Sequence, residues 1–515
     1  MPDWLIPLPD AEEMRTVDRW AIEERGVPSL DLMERAGAAV ARAVERIAPD
    51  GPVAVVCGKG NNGGDGLVVA RLLRDAGREV AVMCVAAPGE FSGDARENLN
   101  RLGGEPPQLL SGVAPDALDQ PGANVIERAA VIVDALLGTG FEGEPRGVMV
   151  AAIDAVNASQ AAVVSVDVPS GVAASTGVVR GGAVRARATV TFHAAKPGLW
   201  IRPGKAHAGA VETVDIGIPR GAPEEASIGL MRSSVLDGLP SRQASSTKFT
   251  SGHVLIVGGS TGLTGAPRMA AHASMRAGAG YVTACVPASL QSILASSGPP
   301  EMMSRALPDD EGALSEAGVE SVLEQTERGG ALALGPGLGR SDGAFAFARA
   351  LAQRAVIALV LDADGLNAHA GRLGELAARR APTVLTPHAG ELGRLLELDS
   401  SEIERERLRH VRAASALSGA VVVLKGDDSL IADPTGRVAV SPGGTPALAT
   451  AGTGDVLTGV VAAFLSQGVD TFAAAAAGVW LHAAAGREAA RRLGAAEGVV
   501  ASDVIAALAA ARTAL

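Results

Sequence analysis

Aromatic residues are scarce in this 515-residue chain: eight Phe, four Trp and one Tyr make up 3% of it. Set against 64 glycines, that scarcity implies many tight turns and elements packed by small side chains. Cysteine is scarcer still. Cys57, Cys84 and Cys285 each sit in an apolar, strand-like run, which implies buried, reduced thiols. Basic charge is in deficit, with 45 Lys and Arg against 57 Asp and Glu and a net charge of -12. That balance excludes non-specific binding to nucleic acid or anionic membranes, and leaves room for a local basic pocket that holds phosphates. The eight histidines are scattered, with neither a His-Glu-x-x-His nor a Cys-x-x-Cys spacing, so no zinc site is expected. The most apolar late stretch, "FAAAAAGVWL" from Phe472 to Leu481, stops at His482, too short to span a bilayer. The opening "MPDWLIPLPD" has no basic region and no apolar core of signal length. The expectation is a cytoplasmic protein of enzyme size.

The length calls for roughly two to four domains, and the pattern shows two. "PVAVVCG" (52–58), "EVAVMCVA", "AAVIVDALLG", "AVVSVDVPSG" and "ATVTFHAA" are near-continuous apolar strands, the earlier ones separated by helical segments such as "GLVVARLLRDAG". Strands of that kind are buried on both faces, which means a mainly parallel sheet covered by helices. The rhythm breaks at "PRGAPEEAS", placing a linker near 218–230 between expected domains 1–220 and 228–515. It restarts with "HVLIVGGS" (253–260) and runs through "YVTACVP", "ALALGPGLG", "VIALVLDADGLN", "PTVLTPHAGELGRLL" and "AVVVLKGDDSLIADPTGRVAV", the last holding a hairpin at "DPTG". The closing helix "SDVIAALAAA" has Ser502 as its expected cap. The halves share no repeat, so the expected fold is two different α/β domains, with ligands beyond the strand C-terminal ends.

In the first half, "GKGNNGGDG" (58–66) follows a strand and opens a helix. Its glycines and asparagines suit positive φ and exposed N–H groups, although it is neither G-x-G-x-x-G nor a Walker A loop. A purely structural turn is the plainer reading of any one Gly-Gly. Two further strand ends, "DALLGTGFEGEPRG" (134–147) and "VDVPSG" (166–171), carry Asp134 and Asp167, which singly would read as turn acids. Together with "LMERAGAAVA" and "TVTFHAAKPGL", these motifs resemble the NAD(P)HX epimerase family (YjeF N-terminal domain) over about the first 215 residues. The resemblance implies a Rossmann-like three-layer α/β/α domain. It would interconvert the R and S forms at C6 of a hydrated, damaged nicotinamide coenzyme, NADHX or NADPHX. It implies ligand contacts at Asn61, Asn62, Gly63, Gly64, Asp65, Gly138, Thr139, Gly140, Phe141, Glu142, Gly143, Glu144 and Asp167, and a potassium ion on Asn62, Asp134 and Ser170. Epimerisation at a carbon bearing N and OH needs proton transfer near neutral pH, and Asp167 is the favoured acid/base. Lys196, a lysine before proline, is the weaker choice because such residues are usually surface charges.

In the second half, "AGTGDVLTG" (451–459) sets Asp455 behind a Gly-Thr-Gly turn before an apolar helix. That acid could be a simple helix cap. A glycine-rich turn at a helix N-terminus with a following carboxylate is also what a phosphoryl-transfer site needs: N–H groups for the anion, a base for the attacking hydroxyl. With "GPGLG" (335–339), "DADGLN" (362–367), "TPHAGE" (386–391) and "LKGDDSL" (424–430), the turn resembles the ribokinase-like ADP/ATP-dependent NAD(P)HX dehydratase family, from about Met231 onward. The reaction implied is phosphorylation of the C6 hydroxyl of the S form and loss of phosphate to restore NAD(P)H. Contacts implied are Ala266, Gly337, His388 and Asp455 for the hydrated coenzyme. Lys425, Gly426, Asp427, Asp428, Ser429 and Gly454 would hold the nucleotide, with Asp455 as base and Glu391 helping to place magnesium. "TKFTSGHV" departs from the family pattern at Phe249 and leaves Lys248 without an assigned role. The resemblance implies ADP as donor, with ATP as the other choice, and a homo-oligomer. Two further readings stay open on the residues alone: a small-alcohol kinase, and a first domain that only binds ligand.

Overall fold

The computed structural model describes residues 1–110, 121–223 and 225–512; residue 224 of the expected linker lies outside them. The chain divides into two compact units, Pro7–Ile228 and Gly229–Leu515, the second also taking Pro2–Ile6. The first five residues of the expected domain 1–220 after Met1 therefore belong to the second unit. The strand Leu5–Pro7 adds to the edge of that unit's sheet beside Ile228–Met231, the Arg232 N–H donates to the Trp4 carbonyl (2.9 Å), and the Trp4 ring packs on Phe472 with centroids 5.6 Å apart.

The first unit is built on seven parallel strands in the order Gln108–Leu109, Val80–Cys84, Val53–Cys57, Val131–Ala135, Ala162–Val166, Ala188–Phe192, Ala210–Val214. In Val53–Cys57 every residue is buried, and the faces alternate. Val53, Val55 and Cys57 pack with Val40, Val44 and Leu67 of one helix layer, while Ala54 and Val56 pack with Ile153 and Val156 of the other. The period-two split of an all-apolar strand between two helix layers is what makes the three-layer sandwich. The three cysteines are free and buried. From Val53–Cys57 the chain first builds outward to Val80–Cys84, then returns to lay Val131–Ala135 on the other side. A crevice opens at such a reversal, and it lies beyond the C-terminal ends of these two strands.

The second unit has an eleven-stranded sheet whose central strands are parallel, with Val421–Leu424, Leu430–Ala432 and Val438–Val440 antiparallel at one side. The expected hairpin is present: Asp433 Oδ1 accepts from the Thr435 and Arg437 N–H groups. Here the reversal falls between His253–Val257 and Ala331–Leu334, with helices packed on both faces. The closing helix is Ala501–Ala511, so Ser502 lies inside it. The start is held by the Asp503 carboxylate accepting the Val500 N–H (3.0 Å).

The glycines of "GKGNNGGDG" do not serve the purpose expected of them. None has positive φ, and Gly63, Gly64 and Gly66 lie inside the helix Asn61–Asp75. They are small because the neighbours are close: a Cβ on Gly63 would lie 1.8 Å from the Gly58 carbonyl oxygen, and one on Gly66 2.6 Å from Ala135 Cβ. Gly63→Ala must move backbone, so it is expected to destabilise the protein by about 1–3 kcal/mol. Chemical denaturation of the variant against the parent checks this.

Candidate active sites

In the first unit a cavity of about 650 Å³ opens beyond the reversal point, lined among others by Asn61, Asn62, Asp65, Gly138, Thr139, Gly140, Phe141 and Asp167. Asp167 has φ of +63°, a left-handed conformation that turns its side chain off the end of the strand Ala162–Val166. Its Oδ1 accepts from Lys196 Nζ (2.5 Å), Thr191 Oγ1 (2.9 Å) and the Phe192 N–H (3.4 Å), and its Oδ2 from Thr139 Oγ1. Lys196 is 1% exposed and also donates to Thr191 Oγ1 and the Phe192 carbonyl. It is a buried clamp on Asp167 and no surface charge, because the Pro197–Leu199 turn that follows folds its stem inward. Burial raises the Asp167 carboxyl, but Lys196 and the hydroxyl donors outweigh it and hold the group below the usual carboxylate range. Asp65 and Asp18 share the cavity and are raised, burial being the first cause in each.

Beneath the loop, Asp134 is fully buried. Its oxygens accept from Ser170 Oγ (2.5 Å), Ser165 Oγ (2.8 Å) and the Ser170 N–H (2.9 Å), and burial raises its carboxyl despite these donors. Asn62 Nδ2 donates to the Leu137 carbonyl, close to Ser170 Oγ (3.3 Å from that same carbonyl). Asn62, Asp134 and Ser170 thus come together around Leu137. Gly63 and Gly64 face the packing, and Glu142, Gly143 and Glu144 are exposed and outside the cavity lining.

In the second unit the ammonium of Lys425 sits 3.0 Å from Asp362 Oδ1 and 3.5 Å from Glu391 Oε2. Asp362 is further held by Thr458 Oγ1 (2.6 Å). Burial opposes the charge on Lys425, yet Asp362, Glu391 and Asp455 raise its pKa. Asp455 is the third residue of the helix Thr453–Ser466, which begins after left-handed Gly452. It caps nothing: its carboxylate has no hydrogen-bond partner among the described residues. Burial, then the charges of Asp362 and Glu391, push it up to about 7 against the pull of Lys425. Gly454 lies beside it, where a Cβ would be 3.7 Å from Lys425 Nζ. Across the reversal point, a Cβ on Gly337 (φ +63°) would be 3.1 Å from Ala266 Cβ, so those two residues form one wall. His388 starts the helix Ala389–Leu396: its Nδ1 accepts the Gly390 and Glu391 N–H groups, leaving a half-exposed Nε2 to carry the proton of the neutral ring.

The turn 425–429 is a hairpin loop braced from within. Arg407 and Asp428, 2% and 0% exposed, pair at 3.1 Å, and Arg407 also donates to the Lys425 carbonyl (3.2 Å). Asp428 therefore supports the loop with its side chain, and Gly426 and Asp427 stand at the exposed tip. Lys248 lies outside the site, over the ring of Phe249 at 5.1 Å.

Residues 254–509 match the family described as NAD(P)H-hydrate dehydratase, and residues 29–198 match YjeF-related protein N-terminus. The bifunctional NAD(P)H-hydrate repair enzyme Nnr of Moorella thermoacetica is 42% identical over 496 residues, covering 94% of this chain and 92% of that protein. The chain belongs to the bifunctional NAD(P)H-hydrate repair enzymes. The Escherichia coli relative of the same name is 34% identical over 505 residues, covering 97% of this chain and 92% of its own. A solved ADP/ATP-dependent NAD(P)H-hydrate dehydratase from Bacillus subtilis, co-crystallised with ATP and Mg2+, is 28% identical, with a TM-score of 0.46, covering 54% of this chain and 95% of that one.

This repair enzyme is an isomerase and a lyase: its first domain is of the epimerase kind, its second of the dehydratase kind. The small-alcohol kinase reading is not favoured. Asp428→Ala takes away one of the two carboxylates that hold Arg407, leaving Glu404 (2.8 Å) and a buried guanidinium N–H without its acceptor, so it should cost about 1–3 kcal/mol. Urea denaturation compares it with the wild-type chain.

Proposed function

We propose that the dehydratase half phosphorylates the C6 hydroxyl of S-NAD(P)HX at Asp455. The observation that carries this is a half-buried carboxyl pushed up to about 7, with no partner among the described residues, at a glycine turn beside the Lys425 ammonium. As general base, Asp455 takes the hydroxyl proton while the oxygen attacks the terminal phosphorus of the nucleotide. Loss of phosphate from C6 and of a proton from C5 then restores NAD(P)H. Lys425, the N–H groups of the 425–429 turn and Gly454 hold the phosphates, and Ala266, Gly337 and His388 the hydrated coenzyme. We assign ADP as donor, giving AMP and phosphate. One ammonium facing Asp362, Glu391 and Asp455 leaves net negative charge, a donor set that fits magnesium arriving with the nucleotide. Glu391 and Asp362 would hold it, and it would neutralise the phosphates.

In the epimerase half the hydrated ring meets Asp167, with Asn61, Asn62, Asp65 and residues 138–141 around the coenzyme. Asp134 is a buried carboxylate with only neutral donors, set among the oxygens of Asn62, Leu137 and Ser170, which fits a hard monovalent cation. Asn62, Asp134 and Ser170 would hold potassium, which would neutralise Asp134 and steady the loop that covers it. Because nicotinamide coenzymes are the substrates, we place the enzyme in the cytoplasm, as a homo-oligomer. No helix of the described residues is long and apolar enough to cross a membrane.

The test is recovery of NADH absorbance from mixed R- and S-NADHX with ADP, magnesium and potassium. Wild type should restore the whole mixture, and Asp455→Asn should lower the rate about 10²–10⁴-fold. Since Asp455 acts ionised, the wild-type rate on S-NADHX should rise with pH until about 7 and then level off. Recovery by Asp455→Asn at the wild-type rate would remove Asp455 as base. Replacing potassium by a bulky organic cation should slow consumption of the R form while leaving the S form unaffected, read by chromatography of the two epimers.

A further inference from the structure

Asp65 borders the coenzyme site but carries no part of the reaction described above. It sits on the first turns of the helix Asn61–Asp75, is 8% exposed, lines the same cavity as Asp167, and has no hydrogen-bond partner among the described residues. Asp167 is its opposite, supplied with an ammonium, two hydroxyls and a backbone N–H. Two carboxyl groups in one cavity with such unequal surroundings divide the work of acid and fixed charge between them. We propose that Asp65 is the group that gives and takes the proton during epimerisation, while Asp167, clamped by Lys196, stays ionised as a fixed negative charge beside the reacting carbon. This rests on the epimerase reading of the first domain and deepens it.

The electrostatics agree with the geometry. Burial first, then the charges of Asp167 and Asp18, push Asp65 well above the carboxylate range against the pull of Lys196. The groups that face it are Asp18 from the helix Ala11–Arg19, and Asp167 and Lys196 from the strand ends, with Cys57 behind. Arg15, Lys59 and Asp94 complete the charged lining of the cavity.

The step balances without an oxidant or reductant. Asp65 gives its proton to the C6 hydroxyl, the C6–O bond breaks with its electron pair on oxygen, and water departs. The N1 lone pair forms an N1=C6 bond, whose positive charge the Asp167 carboxylate offsets. Water adds to the other face of the planar carbon, the N1=C6 pair returns to nitrogen, and the surplus proton returns to Asp65, directly or through a water in the cavity. A protonated acid over a leaving hydroxyl and an ionised neighbour facing the cation is a division of labour known for paired carboxyls.

The experiment follows R-to-S conversion by the full chain without nucleotide, so that dehydration is idle, across pH. Wild type should lose rate as pH rises through the Asp65 pKa, since the acid must carry its proton. Asp65→Asn should lower kcat about 10²–10⁴-fold with KM little changed, and its residual rate should lack the alkaline limb. Asp65→Glu should recover part of both, and Asp18→Asn should keep the limb. A wild-type profile with no alkaline limb overturns the proposal whatever the variants do, and so does an Asp65→Asn chain that keeps the limb or the wild-type rate. Loss of the limb in Asp18→Asn instead moves the proton to Asp18 and equally overturns it. Wild type that does not convert R to S at all sinks the epimerase reading, a separate outcome.

Discussion

One ammonium set among three carboxyl groups, buried at Lys196 and half-buried at Lys425, recurs in each half of the chain. In the first unit Lys196 is bonded to Asp167 while Asp18 and Asp65 share its cavity; in the second, Lys425 is bonded to Asp362 while Glu391 and Asp455 stand by. One positive charge cannot satisfy three negatives in a medium that screens poorly, so one of the acids is driven upward. The driven one is Asp65 in one case and Asp455 in the other. Two unrelated sheets thus share one device: a carboxyl pushed upward on a side chain that water would hold ionised.

The sheets put these charges where they are through their reversal points. Strand ends that diverge leave a crevice that helices do not fill; residues 58–60 and the loop 136–147 open from it in the first unit, and the turn 335–339 in the second. Desolvation is then a property of the architecture, because Asp167 and Asp362 each directly follow a strand and Asp65, Glu391 and Asp455 stand near the start of a helix.

Much of this was legible in the chain. The two α/β halves follow from apolar strands alternating with helices, and Asp167, Asp455 and Lys425 were visible because each stands beside a turn that breaks an apolar run. Lys196 was misread because Lys-Pro looks like a surface pair; its burial depends on Thr191 and Phe192 offering acceptors, which no local pattern records. At Gly63 and Gly64 the structure shows close packing against Gly58 and Met33, and a sequence alone cannot separate a glycine that admits a ligand from one that admits a packed neighbour. Asp18 and Arg407 lie in helices and carry no local signal; only the fold brings Arg407 under the 425–429 loop.

The strand Leu5–Pro7 also has a bearing on how the chain is made. Its neighbour in the sheet, Ile228–Met231, is synthesised more than two hundred residues later. Until then the segment has no partner, and until it docks, Ile228–Met231 is a bare sheet edge, the kind of surface that pairs with other chains. A substitution within Pro2–Ile6, which by its position would look like a change to the epimerase, is therefore a change to the dehydratase's sheet.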